Sequence, residues 1–203
     1  MSERWVPFDV AGADPNPFAQ FETWFAQGAA EVREPEAISV STVDANGRPS
    51  SRMVLLRRHD EGGFGWFTNY ESRKGHDLAA TPFAAILWYC EPLGRQIRIE
   101  GAVTKMSAEA SDAYFASRPR GHQLGAHASA QSTPLESRDV FDARLAEIEA
   151  MFDGVEIPRP PYWGGYLLTP DHFEFWQHRR NRLHDRVLYD LRDGRWHLER
   201  QAP

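Results

Sequence analysis

The sequence predicts a mainly β protein with flanking helices (α+β), in which six or more antiparallel strands close, or nearly close, into a barrel. Short runs of alternating apolar and polar residues are joined by tight turns such as Asp44-Ala45-Asn46-Gly47 and Asp193-Gly194, the mark of hairpins. Between them lie a few segments with apolar residues at helical spacing. A sheet of so many strands protects its edges by closing on itself.

Residues 1–15 are polar and carry Gly and Pro, so a mobile arm is expected ahead of a single domain over 16–203. Asn16 offers a helix cap and Pro17 a first helical position, after which Phe18, Phe21, Trp24 and Phe25 recur at helical spacing to about Ala30. From Ala37 the period is two: Ile38, Val40 and Thr42 alternate with Ser39, Ser41 and Val43, and a second strand follows over 50–58. A third strand, 64–68, comes after the turn at 60–63, and Ser72 caps a short helix running to about Ala80, before Pro82. Segments 83–89 and 95–104 pair around Glu91-Pro92-Leu93-Gly94. Helices are expected at 107–117, closed by Pro119, and at 137–152, where Phe141, Leu145, Ile148 and Phe152 form one stripe ahead of Gly154. Beyond the Pro-rich link at 158–161, strands are expected at 165–168 with 172–177, at 182–189 and at 195–200.

With 203 residues and 41% hydrophobic content the chain can bury one core, and no repeat or low-complexity tract divides it. A net charge of −6 argues against a general nucleic-acid or anionic-membrane binder. The single cysteine, Cys90, permits no intramolecular disulfide and is expected to be an ordinary thiol. With no apolar leader and no run long enough to span a bilayer, a cytoplasmic location is expected.

Against this acidic background, basic residues gather at four places. Residues 173–186, FEFWQHRRNRLHDR, hold four arginines and two histidines beside Trp176. If 182–189 is a strand, Arg182, His184 and Arg186 share one face, and periodicity alone leaves open whether that face is solvated or binds an anion. Arg73 and Lys74 follow Ser72 at a helix N-terminus, where backbone N–H groups favour anions. Arg52 and Arg57 flank the apolar MVLL, and Arg118 and Arg120 follow a helix carrying Tyr114. Convergence on two phosphates would explain all four. Metal binding is not expected, because no Cys/His cluster accompanies the histidines.

The same residues carry a resemblance. FEFWQHRRNRLHDR resembles the C-terminal signature of the FMN-dependent pyridoxamine 5'-phosphate oxidases: an apolar residue, E-[FY]-W, a spacer, then R-[LIVM]-H-[DNE]-R. Further similar stretches are RMVLLR at 52–57, FTNYESRKGH at 67–76, GRQIRIEG at 94–101, YFASRPRGHQLGA at 114–126, QS at 131–132 and WGGY at 163–166. The resemblance implies an antiparallel split β-barrel homodimer with FMN in a cleft between subunits. Arg52, Met53, Val54, Leu55, Leu56, Arg57, Phe67, Thr68, Arg73, Lys74, Gln96, Gln131, Ser132, Trp176 and Arg186 would then contact FMN, with Arg52, Arg73, Lys74 and Ser132 on its phosphate. Tyr114, Arg118 and Arg57, with His122 beside them, would hold the substrate phosphate, and Arg182 and His184 would close over the pyridine ring as catalytic residues. The implied reaction oxidises pyridoxamine or pyridoxine 5'-phosphate to pyridoxal 5'-phosphate, passing a hydride to the flavin and then electrons to dioxygen, with hydrogen peroxide as product.

The chain departs from that pattern on the substrate side. Arg57 stands where Lys is common, His122 where Ser is common and His127 where Trp is usual; the 178–181 spacer is unusually basic. The arm lacks the family's Arg-x-x-Tyr element unless Arg4 and Trp5 replace it. Two rival readings follow: a related FMN oxidase of another aromatic substrate, as in phenazine-type biosynthesis, or a non-catalytic flavin or pyridoxal-phosphate carrier.

Overall fold

The aromatic stripe after Asn16 builds the element that plugs the barrel. In the computed structural model, which describes residues 6–203, the Asn16 side chain accepts the Phe18 N–H and Pro17 opens helix α1 (Pro17–Ala29). Phe21 meets Phe64 edge-on at 4.8 Å, and Trp24 meets Phe175 at 5.3 Å. Gly28 is required where the helix touches the sheet, since a Cβ there would lie 2.4 Å from the Trp88 ring. Within the segment expected to be an arm, Phe8 is buried against Trp24, while Arg4 and Trp5 lie outside the described residues.

The sheet comprises β1 (Ala37–Val43), β2 (Pro49–Leu55), β3 (Arg58–Asp60), β4 (Gly63–Asn69), β5 (Phe83–Cys90), β6 (Arg95–Lys105), β7 (Trp163–Gln177), β8 (Asp185–Arg192) and β9 (Arg195–Arg200). Its order is β2-β1-β5-β6-β7-β4-β3, all antiparallel, with β8 and β9 branching from β7. The strand expected over 50–58 is two strands. Leu56 donates its N–H to Glu36 O and Arg57 donates to Gly65 O, both at 2.8 Å, so the chain changes partner between them. β2 and β3, at opposite ends of the order, are joined by those two residues alone, and this corner closes the barrel.

The segments expected at 165–168 and 172–177 are one 15-residue strand, β7, which pairs with β6 on one side from Tyr166 to Gln177. Its register shifts beside Glu100/Gly101, leaving Asp171 as the extra residue of a bulge. On the other side β7 pairs first with β4 and then with β8, so the sheet forks there. The barrel is therefore split, with its core formed by Ile38, Val40, Trp66, Ile86, Ile97, Ile99, Phe173 and Phe175. Cys90 is buried in that core, and burial pushes its thiol pKa up.

Four further helices complete the chain: α2 (Arg73–Ala80), α3 (Ala108–Ser117), α4 (Arg120–Ala128) and α5 (Arg138–Met151). α4 carries no helix signal in the sequence, because it has no side-chain cap and contains Gly121 and Gly125. The stripe of α5 packs through Leu145 and Ile148 onto a second, smaller cluster of Phe115, Leu124, Ile157 and Trp163. The strand expected from Arg182 begins instead at Asp185, because Asn181 and Arg182 have φ of 57° and 62° and leave extended geometry. Arg182, His184 and Arg186 therefore do not share a strand face. No helix among the described residues is long and apolar enough to cross a membrane.

Phe21, 1% exposed, makes a direct test of the plug. Phe21→Ala is expected to destabilise the protein by about 3–5 kcal/mol, measured by urea unfolding.

Candidate functional site: a ring-lined cleft with two cations

A cavity of about 340 Å3 opens where β2, β4, α2, α3, α4 and the loop at 131 meet. It is lined by Arg52, Met53, Val54, Leu55, Arg57, Phe67, Thr68, Lys74, Tyr114, Arg118, His122 and Gln131, twelve of the residues expected from sequence, and by Trp163.

At one end lies Lys74. Ser72 caps α2 by accepting the Gly75 N–H, and Gly75 lets the helix start close to the preceding turn, where a Cβ would fall 1.9 Å from Tyr70 O. That approach carries Lys74 inside, 8% exposed. Its Nζ donates to Gln131 Oε1 at 2.7 Å, Thr68 Oγ1 at 3.0 Å and Ser72 Oγ at 3.1 Å, all neutral acceptors. Burial, followed by repulsion from Arg52, lowers its pKa to about 8. Arg52 stands behind it with its guanidinium committed: Nη1 donates to Val40 O and Thr42 Oγ1, and Nη2 donates to Ser50 Oγ and lies 3.6 Å from the buried Asp77 carboxylate. Arg73 is exposed at the first position of α2.

At the other end lies Arg118, which follows α3. Its guanidinium stacks over Trp163 at 4.7 Å, burial lowers its pKa, and Nη1 is buried without a hydrogen-bond partner. Among the described residues neither Lys74 nor Arg118 forms an ion pair. Between the two cations runs a stack of rings, with Tyr114 on Phe67 at 3.8 Å and Phe67 beside Trp163 at 5.6 Å. Lys74 is a buried cation held by neutral oxygens and Arg118 keeps one buried guanidinium nitrogen without an acceptor, so these two groups and the flat apolar surface beside them suit a ligand set with anionic groups and aromatic rings.

The remaining expected residues are elsewhere in the chain. Leu56 is buried in the barrel core, and Ser132, with φ of 69°, lines an adjacent cavity against α5. Gln96, Trp176 and Arg186 are direct partners across β6, β7 and β8. His184 packs on Trp176 at 4.4 Å, and its Nδ1 accepts the Arg179 N–H at 3.2 Å. Burial, then His178 and Arg182, depress its pKa. Arg182 is exposed. Arg186 Nε donates to the buried Glu174 at 2.6 Å, and Arg98 pairs with the same carboxylate at 2.9 Å. Thr68 pairs with Gly164 near the start of β7, so Trp176 lies about 40 Å further along that strand at ~3.3 Å per residue.

Register places both groups at the margins of one outer face. Met53, Ser39, Leu87, Arg98, Glu174 and Leu188 form a continuous row from β2 to β8, and Leu87 and Tyr89 on β5 and Met53 and Leu55 on β2 are exposed. Trp163 was the residue missed by sequence reasoning, although the WGGY stretch containing it was recognised as family-like. Its signal was a large ring ahead of two glycines that let β7 pass close to Tyr70 and Met106.

The fold and cleft define a class, antiparallel split barrels with an aromatic cleft between two cationic ends. Residues 26–152 match the family model described as pyridoxamine 5'-phosphate oxidase, and residues 163–203 match the pyridoxine 5'-phosphate oxidase C-terminal dimerisation region. The chain belongs to the pyridoxamine 5'-phosphate oxidase family. It is 54% identical over 199 residues to a pyridoxine/pyridoxamine 5'-phosphate oxidase of Burkholderia vietnamiensis, covering 96% of this chain and 92% of that one. Among solved structures, PhzG from Burkholderia lata in complex with tetrahydrophenazine-1-carboxylic acid superposes with TM-score 0.91 at 32% identity, over 98% and 100% of the two chains. An FMN binding protein from Nostoc punctiforme shares the fold, with TM-score 0.71 at 21% identity over 90% and 97%.

The depressed pKa of Lys74 has a signed consequence. Between about 8 and the ordinary 10.5 the unfolded chain binds the proton that the folded chain has lost, so the ligand-free protein should gain stability as pH rises through that window. Urea midpoints at pH 7.5 and 9.5 should show this gain in the wild type, and Lys74→Met should flatten it.

Proposed function

We propose that this protein is an FMN-dependent oxidase that converts pyridoxamine or pyridoxine 5'-phosphate to pyridoxal 5'-phosphate, with dioxygen as acceptor. The observation that carries this reading is the buried Lys74 and the half-buried Arg118, whose Nη1 has no acceptor, lining one cleft with the Tyr114, Phe67 and Trp163 rings. FMN and the substrate each bring one phosphate and one flat ring system, so the donor set fits both. Lys74, backed by Arg52 and flanked by Arg73 and the 131–132 loop, would hold the flavin phosphate, with Met53–Leu55 and Phe67 along the cofactor. Arg118, Tyr114, Arg57 and His122 would hold the substrate phosphate. Charged hydrogen bonds of this kind contribute about 1.5–3 kcal/mol each. When bound, FMN would supply the redox chemistry, as hydride acceptor from the substrate and two-electron donor to dioxygen, with hydrogen peroxide as product; for the amine substrate, water then hydrolyses the resulting imine to the aldehyde and ammonia.

The Gln96–Trp176–Arg186 row and the Arg182–His184 loop join this cleft through a second copy of the chain. In a two-fold dimer the β8 margin of one protomer would lie over the β2 margin of its partner. The same contact would cover Met53, Leu55, Leu87 and Tyr89, and the match of residues 163–203 to a dimerisation region supports it. Arg182 would then orient the substrate ring. His184, accepting at Nδ1, would donate from Nε2 to the ring oxygen.

The likeness to PhzG favours a second reading, oxidation of a different aromatic substrate in the same cleft. Purified protein should be yellow and, given pyridoxamine 5'-phosphate under air, should release peroxide and aldehyde. Turnover only of a reduced phenazine precursor would replace the first reading with the second, and a yellow protein yielding neither product would mark a carrier. Arg118→Ala is expected to raise KM for pyridoxamine 5'-phosphate by about 10-fold or more with FMN retained, whereas Arg186→Ala should weaken FMN binding; steady-state kinetics and flavin titration separate the two.

A further inference from the structure

A buried carboxylate that neither half of the cleft uses ties three parts of the chain to the strand carrying Arg186. Asp185, the first residue of β8, is 6% exposed. Its Oδ1 accepts from Arg200 Nη2 at 2.9 Å. Its Oδ2 accepts the Phe8 backbone N–H at 3.1 Å and lies 3.5 Å from Arg179 Nε. Arg179 in turn donates its own backbone N–H to His184 Nδ1 at 3.2 Å.

That last bond has chemical content. A neutral imidazole carries one proton, so a ring whose Nδ1 accepts holds its proton at Nε2 and can only donate there. The loop that makes the bond does not hold itself in place. Asn181 and Arg182 both sit in the left-handed region, at φ of 57° and 62°. Side chains with a Cβ occupy that region at a cost on the order of 1 kcal/mol each, and such backbone persists only where its surroundings restrain it. The Arg179–Asp185 pair bridges the loop from within four residues of each of those positions.

We propose that Asp185 is a positioning residue for the oxidase reaction. Through Arg179 it restrains the loop that presents Arg182 and keeps His184 as an Nε2–H donor, and through the Phe8 N–H it makes the N-terminal segment part of the same support. This rests on the reading in which Arg182 and His184 meet the substrate. A plain anchor between β8 and β9 would need only Arg200, whose side chain is 62% exposed and whose pair with Asp185 is correspondingly weak.

Asp185→Asn in the FMN-loaded protein is the test, because it keeps the shape and removes the charge that holds Arg179. Nitrogen-15 NMR of the labelled histidines, with His184 assigned from the His184→Gln spectrum, should show a neutral Nε2–H ring in the wild type and a mixture of tautomers in the variant. For pyridoxamine 5'-phosphate, kcat should fall about 10-fold or more, while FMN affinity stays within about 2-fold. Arg200→Ala should leave tautomer and kcat unchanged. A variant with the wild-type tautomer and kcat, even if its melting temperature drops, would overturn the proposal, as would equal losses of FMN affinity and kcat. If Asp185→Asn does not fold, Arg179→Ala poses the same question, since it keeps the backbone N–H and removes the guanidinium. Should the wild type fail to turn over pyridoxamine 5'-phosphate, the functional reading falls, but the tautomer spectra still decide whether Asp185 governs His184.

Discussion

Lys74 is a cation enclosed by neutral oxygens, and much of the cleft is arranged around that unbalanced charge. Thr68 from β4, Ser72 from the cap of α2 and Gln131 from a distant loop all turn an oxygen toward one Nζ. Neutral acceptors lessen the desolvation cost of an ammonium without removing it. Under the proposed function a phosphate would complete the balance, meeting donors that are already oriented. Arg118 repeats the device at the far end with rings in place of oxygens, since a guanidinium stacked on Trp163 can be buried flat while its edge waits for an acceptor.

The barrel explains why one chain carries the parts of the cleft in two places. β7 is long enough to serve two neighbours in succession, β4 and then β8, and the fork between them separates Thr68 and Lys74 from Trp176 and Arg186. In the proposed dimer two-fold symmetry would turn that separation into an advantage, because each margin would meet its complement on the other copy. Glu174 then has a clear place. It is buried among arginines on the outer face, and it sets the direction of Arg186 before any partner or cofactor arrives.

Much of the fold was legible because its signals are local. Caps at Asn16 and Ser72 hold as expected, Ser107 and Ser137 cap the helices expected to start at them, and the alternation in β1 is reproduced residue by residue in its burial. What escaped depends on distant partners. The break at Leu56–Arg57 exists because adjacent amides turn to different partners, Leu56 to Glu36 and Arg57 to Gly65, and neither choice is written in residues 56 and 57 themselves. α4 was hidden by its two glycines, which lower helix propensity. The strand expected from Arg182 starts late because Arg does not advertise positive φ as Gly does. The basic pairs of the cleft could be recognised separately by charge, but Trp163 could not. Its role comes from Phe67 and Tyr114, some 50 or more residues away in the chain and adjacent only after folding.

The two-residue corner between β2 and β3 has a bearing on how this scaffold can change. Met53, Val54, Leu55 and Arg57 border the cleft, while Leu56 between them points into the hydrophobic interior. Lengthening the hinge by a single residue would invert that inside-outside order and unseat the barrel seam and the ligand wall together. Diversification toward new substrates is thereby steered away from the seam and toward α4 and the 178–184 loop, where side chains can be exchanged without reopening the cylinder.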